Sequence, residues 1–221
     1  MSFTAPPRPP TMTLVTAQIS VSLDGFAAGP NQRLEEPLGD GGERLHEWAF
    51  ATEAWQREHG RDGGERNVDS ELTERLLAPV RAHVMGRRMF GGGEGEWDLD
   101  WKGWWDGEPP FHAPVFVLTH HPREPLTLGD TTITFVTGGL EDALEQARAA
   151  AEGGDVQFSG GASTIAQALA AGVLDELTLH IVPILLHDGV RPLDGAGDPV
   201  LEPVEVVHSP AVTHVTYRVV R

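Results

Sequence analysis

Short β-branched segments alternate with amphipathic segments along most of the chain, and this alternation constrains the fold more than any other feature. Strand-like runs are predicted at 12–20, 82–85, 115–118, 132–137, 156–159 and 177–186. Helical spacing is predicted at 45–55, 70–78, 140–151 and 162–171. Because successive parallel strands need a crossover, the pattern predicts an α/β fold with a mostly parallel central sheet and helices on both faces. Two final strands, 205–208 and 213–220, follow each other directly and predict an antiparallel edge.

The chain is interpreted as one domain behind a short leader. Residues 1–11 are proline-rich and are predicted to be disordered. Residues 12–221 are predicted to form the single folded domain, because no linker or internal repeat divides them. Within this domain, residues 91–114 form an insertion rich in glycine and tryptophan. The insertion is interpreted either as a lid or aromatic wall of a pocket, or as a small separate core under a long loop.

Composition excludes several classes of function. The sequence has 33 acidic and 16 basic residues, a formal net charge of −17, which disfavours binding to duplex nucleic acid or to an anionic membrane surface. The single lysine, Lys102, precedes glycine, so a Walker A nucleotide site is excluded. Cysteine is absent, which removes disulfides, thiolate nucleophiles and cysteine metal sites and fits a cytoplasmic protein. The Gly-x-Ser-x-Gly and Gly-x-Gly-x-x-Gly motifs are also missing.

A pair of glycines stands between a predicted strand and a predicted helix. Gly160 and Gly161 allow the backbone to approach a ligand closely. The helix that follows offers free N–H groups and a partial positive charge, and Ser163 and Thr164 add hydroxyl groups. These features favour a pyrophosphate site, although a plain tight turn with a Ser or Thr cap gives the same pattern.

Two other strand ends carry groups suited to a phosphate or a ribose. Arg87 and Arg88 follow Gly86, and paired guanidinium groups can clamp a phosphate. Thr119 and His120 follow the strand at 115–118, where a hydroxyl and an imidazole can recognise a ribose or its phosphate. The alternatives are a solvated charge pair in the first case and a loop without a ligand in the second.

A carboxylate follows the first predicted strand. Asp24 lies in the sequence Ser-Leu-Asp-Gly, where it either serves as a functional acid or makes an Asx-type turn before the glycine. His120 and His121 are adjacent, and neighbouring side chains on a strand point to opposite sides, so no metal site is predicted.

In combination, three segments resemble the RibD C-terminal domain family, the riboflavin-biosynthesis reductases of the dihydrofolate-reductase-like superfamily. The first is Ser22-Leu23-Asp24-Gly25, and the second is Met85-Gly86-Arg87-Arg88-Met89-Phe90. The third and most specific segment runs from Gly160-Gly161 through Gly172-Val173-Leu174-Asp175-Glu176 to Pro183-Ile184-Leu185-Leu186. The resemblance covers residues 12–220.

The resemblance implies a dihydrofolate-reductase-like fold, an NADPH-dependent reductase and a homodimer. It places Asp24 beside the nicotinamide as the catalytic candidate, and it places Ser159 on the substrate side. The residues that it implies for NADPH binding are Gly86, Arg87, Arg88, Met89, Thr119, His120, Gly160, Gly161, Ala162, Ser163, Thr164 and Ile165.

Two residues depart from the family pattern, since Met89 replaces a common hydroxyl residue and Ser159 replaces a glutamate. We expect hydride transfer from NADPH to a small heterocyclic or ribosylaminopyrimidine-like substrate, with Asp24 or an ordered water as the proton donor. The alternative is a non-catalytic protein that binds a nucleotide or another ligand on the same fold. NADPH is expected to bind better than NADH because cationic residues lie at two strand ends. The run 178–186 is interpreted as apolar on both faces and favours a homodimer.

Overall fold

The structure is a computed structural model, and it describes residues 3–4, 13–105 and 107–220. Its strands are β1 Phe3–Thr4, β2 Val15–Ser22, β3 Val80–Gly86, β4 Val115–Leu118, β5 Leu126–Leu128, β6 Thr131–Val136, β7 Asp155–Phe158, β8 Glu176–Val182, β9 Val200–His208 and β10 Thr213–Val220. They form one 10-stranded sheet in the order β1-β9-β10-β8-β2-β7-β3-β4-β6-β5.

The centre of the sheet is parallel, and both of its edges are antiparallel. Each neighbouring pair from β8 across to β6 is parallel. Strands β9 and β10 pair antiparallel with each other and β10 pairs antiparallel with β8. The predicted mostly parallel sheet with antiparallel C-terminal strands is therefore confirmed. Strand β5, which pairs antiparallel with β6, was not predicted because its three residues are too few to show a pattern.

The predicted leader is described only in part. Phe3 and Thr4 pair with Val206 and Glu205 on β9. The other residues of the segment 1–12 lie outside the described part of the chain.

The helices are a 3-10 helix at Gly42–Leu45, then α1 Glu47–Phe50, α2 Glu53–Glu58, α3 Val68–Leu77, α4 Arg87–Phe90, α5 Leu140–Ala150 and α6 Ala162–Ala170. The prediction of a single helix at 45–55 is wrong, because non-helical backbone at Thr52 separates α1 from α2. Thr52 has extended backbone angles, φ −84° and ψ 149°, and its hydroxyl accepts from the Trp55 amide as the N-cap of α2.

One face of the sheet is apolar and is covered by α5 and α6. The side chains of Val15, Ala17, Val84 and Phe158 point to this face and are buried. They pack with Ala143, Leu144 and Ala147 of α5 and with Ile165, Ala168 and Leu169 of α6. This layer is the main hydrophobic core of the described chain.

The opposite face is polar at its centre, because side chains alternate along each strand. Gln18 and Ser20 on β2 share this face with Gln157 on β7, His83 on β3 and His180 on β8, as the strand register shows. Strand β8 therefore has a polar face with Thr178 and His180, and it ends at Val182. The interpretation of 178–186 as apolar on both faces is wrong, since the alternation of polar and apolar residues sets the two faces apart.

Two aromatic walls flank this polar strip. Trp48, Phe50 and Trp55 belong to the helical wall, which α1 and α2 build over β8 and β10. Trp104, Trp105 and Phe111 belong to the insertion wall, which lies over β3, β4 and β6. Within the insertion, Trp97 and Trp101 pack against the buried cluster around Phe90 and Phe135. One part of the insertion thus packs as a small separate core, and another part lines the cleft.

Candidate functional site

The predicted strand-end motifs meet at one edge of the sheet. The amide of Gly86 donates to the carbonyl oxygen of Gly160 at 2.9 Å, which ties the end of β3 to the turn after β7. A side chain at Gly86 would collide with the Thr164 hydroxyl. At Gly160, a Cβ atom would lie 3.4 Å from the Met89 sulfur. The structure therefore brings Gly86, Met89 and the glycine turn together, as open α/β sheets do where they bind a ligand.

The two glycines of the turn have different environments. Gly160 has a φ of +119° and is buried, so its backbone favours glycine. Gly161 has an ordinary φ of −77°, and a Cβ placed on it meets nothing within 4 Å. Gly161 is the N-cap of α6 and no side chain caps this helix. Open space thus adjoins the positive end of a helix, which suits a bound anion.

The residues after the turn divide into two groups. Ala162 and Ser163 line the adjoining cleft together with Gly160 and Gly161. Thr164 and Ile165 are buried, and their amides donate to the Gly161 carbonyl oxygen at 3.0 and 3.2 Å. The structure does not bring these two side chains to the cleft, and it assigns them to the packing of α6.

Asp24 is placed outside the cleft. Its carboxylate accepts from the Ser22 hydroxyl at 2.6 Å and from the amides of Leu186 and His187 at 3.2 and 2.8 Å. The Ser22 hydrogen bond is the main cause that lowers the pKa of Asp24 to about 2. Asp24 is therefore ionised at neutral pH and joins the loop after β2 to the loop after β8.

Arg87 and Arg88 directly follow β3 as the first two residues of α4. Arg87 stacks on the Trp97 indole with its guanidinium carbon 3.8 Å from the ring centroid. Arg88 is exposed, lies 3.2 Å from Glu94 and lines the cleft. Arg123 packs against the same aromatic cluster, with its guanidinium carbon 5.2 Å from the Trp97 ring centroid.

Two of these guanidinium groups carry unusual buried donors. The Arg87 Nε and one terminal nitrogen of Arg123 are buried without a hydrogen-bond partner among the described residues. Burial lowers the pKa of both groups, and the charge of Arg87 further lowers that of Arg123. A second cation beside Arg87 strengthens the case for an anion at this edge.

Thr119 and His120 directly follow the end of β4. The Thr119 hydroxyl accepts from the His121 amide at 3.1 Å, so it is engaged in its own turn. His120 is exposed. His121 is half-buried, and its carbonyl oxygen accepts from the Trp97 indole at 2.8 Å.

The cleft between the two aromatic walls has a volume of about 1600 Å³. Its floor is the polar strip of the sheet, with Gln18, His83, Gln157, Ser159 and His180. The glycine turn closes one end of the cleft. A planar ligand of moderate size fits such a space, since aromatic walls supply contact area and a few polar groups supply orientation.

Ser159 is held in the floor by a buried histidine. The His83 Nδ1 atom lies 2.8 Å from the Ser159 hydroxyl oxygen. Burial lowers the pKa of His83 to about 4, so its ring is neutral at physiological pH. Ser159 therefore has its hydroxyl fixed in the floor of the cleft.

A series of hydrogen-bonded side chains runs from Gln18 in the floor of the cleft to Asp69 on α3. Asp69 Oδ1 on α3 lies 3.0 Å from His214 Nε2. The two Nδ1 atoms of His214 and His180 are 2.7 Å apart, and His180 Nε2 lies 3.0 Å from the Gln18 amide. We call Asp69, His214, His180 and Gln18 the imidazole chain. Burial holds the pKa of both histidines below the usual value.

A carboxyl with a raised pKa also lines the cleft. Glu58 ends α2 beside the helical wall, and burial raises its pKa to about 7.

In the part of the chain that the structure describes, no group of three or more potential metal ligands is found. None of the helices described here has the length and apolar character needed to cross a membrane.

Several residues of the site were not predicted from the sequence. Gln18 and Gln157 lie in strands, where polar residues on one face are a visible signal for an exposed or ligand-facing strip. His83 and His180 carry the same signal, because each stands at an alternate position among apolar neighbours. Asp69 and Arg123 have no such signal, since only the fold brings them to their partners.

Comparison with known proteins identifies relatives of this arrangement. A family model for the RibD C-terminal domain matches residues 13–215. A structure from Shewanella sp. PV-4, named for riboflavin biosynthesis, has a TM-score of 0.61 at 24% identity and covers 95% of this chain and 100% of that chain. The Thermotoga maritima diaminohydroxyphosphoribosylaminopyrimidine deaminase/5-amino-6-(5-phosphoribosylamino)uracil reductase has a TM-score of 0.56 at 14% identity, with 94% of this chain and 57% of that chain covered.

A third related structure is the Enterococcus faecalis dihydrofolate reductase complexed with NADP(H). It has a TM-score of 0.50 at 13% identity and covers 94% of this chain and 97% of that chain. No curated protein matches the sequence. The predicted dihydrofolate-reductase-like fold is confirmed by these structural similarities.

Proposed function

Because the chain belongs to the RibD C-terminal domain family, we propose that it is an NADPH-dependent reductase that acts on a small heterocyclic substrate. The observation that carries this proposal is the open space at Gly161, which connects the positive end of α6 with a cleft of polar floor and aromatic walls. A cofactor and a planar substrate can meet there, as reduction requires.

The residues present fit the cofactor. A Cβ atom at Gly161 would project into the open space, so the turn provides a cradle for a diphosphate. Gly160, Gly161, Ala162 and Ser163 would hold the diphosphate. Arg87, Arg88, Thr119 and His120 would hold the part of the dinucleotide near the end of β4, with the phosphate that distinguishes NADPH from NADH. When bound, NADPH supplies the hydride.

The chain's own residues orient the substrate in the cleft. The aromatic walls sandwich a planar ring, while Ser159 and the glutamines of the floor bind its polar edge. Asp24 is ionised and hydrogen-bonded to backbone amides, so we assign it a positioning role for the loop after β2 rather than proton donation. The required proton then comes from water in the cleft or from another cleft group.

The test mixes the protein with NADPH and one of two probes, 5-amino-6-(5-phosphoribosylamino)uracil or dihydrofolate. The expected result is saturable NADPH binding and loss of NADPH absorbance with at least one probe. Binding without turnover on a wider set of heterocycles would favour the non-catalytic alternative. No NADPH binding at all would reject the proposal.

We also propose that the protein is a homodimer, as the resemblance to the family implies, and that it is cytoplasmic, which the absence of cysteine fits. Val200 on β9 and Val220 on β10 are exposed apolar residues on the antiparallel side of the sheet, where a second copy would cover them. Sedimentation at micromolar protein is expected to show a species of twice the chain mass. A single-chain species at that concentration would contradict the dimer.

A further inference from the structure

The imidazole chain is not explained by packing alone. His214 and His180 are 1% and 4% exposed, and Asp69 is 2% exposed, yet their polar atoms are arranged in one continuous line. The line ends at Gln18, which is half-buried and lines the cleft. A buried polar network of this kind is favourable only when every member is satisfied, so each proton in it has a defined place.

The carboxylate at one end determines where the protons are. Burial lowers the pKa of His214 and favours its neutral ring. With the Asp69 carboxylate accepting, neutral His214 carries its proton on Nε2 and has a lone pair on Nδ1. His180 must then donate from its own Nδ1 to His214. A neutral His180 consequently has a lone pair on Nε2, the atom that faces Gln18.

The surroundings keep His180 neutral. The titratable groups around the histidine pair are Asp69 on α3, Glu205 on β9 and His46 before α1. The carboxylates lie on the His214 side, whereas His180 faces another imidazole, the Trp48 ring and the cleft. Burial and the neighbouring imidazoles disfavour a charge there and hold the pKa of His180 well below its usual value.

A lone pair on His180 requires a donor from Gln18. The oxygen and nitrogen of a side-chain amide are assigned from the hydrogen bonds that they make. In the structure, Gln18 Oε1 lies 3.0 Å from His180 Nε2. Neutral His180 offers only a lone pair there, so the two acceptors cannot bond. The amide is therefore assigned the flipped orientation, with its nitrogen on His180 and its carbonyl oxygen towards the cleft. Gln157 lies on the neighbouring strand, is 4% exposed and lines the cleft, and its amide has no hydrogen-bond partner among the described residues.

We propose that the imidazole chain holds the Gln18 amide with its NH₂ group on His180 and its carbonyl oxygen towards the cleft, so that Gln18 selects a planar ring that presents an N–H or NH₂ donor. Gln18 is then a specificity-determining residue, and Asp69, His214 and His180 are positioning residues that act through it. Gln157 provides a second amide for the same ring edge. This inference rests on the proposed function in one respect, namely that the cleft holds the substrate.

Nitrogen-15 NMR of the histidine rings, in the complex of the full-length protein with NADPH, tests the imidazole chain directly. The expected spectrum shows neutral His180 with its proton on Nδ1, neutral His214 with its proton on Nε2, and a scalar coupling across the hydrogen bond between the Gln18 amide nitrogen and His180 Nε2. Asp69→Asn can donate as well as accept, so it is expected to add the opposite tautomer of both rings. Asp155→Asn, a buried aspartate that instead accepts from the Leu14 amide, is the matched control and is expected to change neither ring.

Either of two spectra would overturn the proposal. One is a His180 ring in the wild type that is cationic or carries its proton on Nε2 alone. The other is a tautomer pattern that Asp69→Asn leaves unchanged, because the carboxylate would then not set the protons.

Ligand selection is tested with uracil and its N1,N3-dimethyl derivative as probes on the protein loaded with NADP⁺. Uracil is expected to bind more tightly, and Gln18→Met is expected to reduce this preference about ten-fold, the size of one hydrogen bond to a buried group. Gln146→Met, on α5 at the opposite face, is the matched control and is expected to keep the preference.

An unchanged preference in Gln18→Met, or no binding of either ring, would overturn the assignment of Gln18. NADPH affinity measured on the same samples separates this failure from that of the proposed function. A wild type that fails to bind NADPH contradicts the proposed function, whereas normal NADPH binding with no ring selection contradicts only the inference.

Discussion

The neighbouring glycines of the turn have separate roles at the scale of single residues. Gly160 meets a conformational requirement, since its φ of +119° is unfavourable for any residue with a Cβ atom. Gly161 meets a spatial requirement, because its own φ is ordinary and a side chain there would enter open space. Substitution at the two positions therefore has opposite consequences for folding and for binding.

Gly161→Val is expected to abolish NADPH binding while the protein stays folded. The added side chain occupies the space that the diphosphate needs, and its Cβ atom has no protein atom within 4 Å. Gly160→Ala is the contrasting variant, and its strained backbone is expected to lower the free energy of unfolding by about 1–2 kcal/mol. Circular dichroism melts beside NADPH titrations measure both effects. A folded Gly161→Val protein with wild-type NADPH affinity would show that the diphosphate lies elsewhere.

Glu58 predicts a pH dependence of stability. Its pKa is raised to about 7 in the folded protein from 4.5, so the folded state retains a proton that the unfolded chain releases between these pH values. The contribution of Glu58 to stability is therefore present below pH 4.5 and is lost as pH rises to about 7. Glu58→Gln removes this loss and is expected to be more stable than the wild type at pH 8, by up to about 3 kcal/mol.

The difference in the free energy of unfolding between the wild type and Glu58→Gln separates the contribution of Glu58 from that of the histidines. His46 and His83 have pKa values lowered to about 4 by burial, so they contribute stability above pH 6.5 that is lost as pH falls towards 4. These contributions are the same in both proteins and cancel in the difference. Urea unfolding at several pH values measures this difference in the free energy of unfolding. A difference that stays constant from pH 5 to pH 8 would contradict the raised pKa of Glu58.

The residue scale is also where sequence reasoning was least informative. The motif around Asp24 was recognisable, but its partners at 186 and 187 are distant in sequence, so the sequence could not show that the carboxylate is engaged. Thr164 belongs to the glycine motif, yet its position in the helix turns it towards the protein interior. Side-chain direction depends on where an element begins, and that boundary is the hardest feature to predict.

At the scale of elements, most strands and helices followed from the periodicity of the sequence. Helix α5 begins at the predicted residue, and the prediction for β4 gave both of its ends. Besides the short strand β5, the exception is the region before α2, where Thr52 accepts from a backbone amide and interrupts the helical spacing. A local hydrogen bond won over the apolar pattern, as is common for threonine.

The arginines that follow β3 lead us to expect a preference for NADPH over NADH. We expect NADPH to bind at least ten-fold more tightly than NADH, since a charge-assisted contact to the additional phosphate contributes about 1.5–3 kcal/mol. Arg88→Ala is expected to reduce this preference without lowering the melting temperature, because the side chain is 81% exposed and its ion pair with Glu94 lies at the surface. Fluorescence titration with both cofactors measures the preference.

Arg87→Ala provides the comparison for Arg88. Its guanidinium stacks on Trp97, so its removal is expected to lower both the preference and the melting temperature. Equal affinities for NADPH and NADH in the wild type would refute the preference. An unaffected preference in both variants would assign it to other groups, of which Arg123 is the nearest cation on the same indole.

At the scale of the whole molecule, the sheet separates stability from function. Its apolar face supports α5 and α6 and holds the main core, while its polar face is left between two aromatic walls as the floor of the cleft. The alternation of strands and helices was sufficient to predict the parallel sheet. An aromatic wall in the insertion was one interpretation of the sequence, but its pairing with the helical wall was not predictable. Trp48 and Trp105 come from segments far apart in the sequence, and only the sheet brings them to opposite sides of one cleft.

The net charge of −17 bears on how this site binds an anionic cofactor. A strongly acidic protein repels NADPH at long range, so local donors must supply the attraction. The glycine turn, the end of α6 and the arginines on Trp97 are such donors and lie together at one edge of the sheet. Salt screens the repulsion more than it screens short contacts, so moderate salt is expected to raise the association rate of NADPH in stopped-flow measurements.

Backbone-amide NMR during an NADPH titration shows directly whether this edge of the sheet binds the cofactor. We expect saturable shifts that are largest at residues 160–163 and at Gly86, with smaller shifts at Thr119 and His120 and none on the outer strand β9. The contrary result is an absence of saturable shifts, or shifts that cluster away from the carboxyl ends of β3, β4 and β7, and it would show that this edge of the sheet does not bind the cofactor.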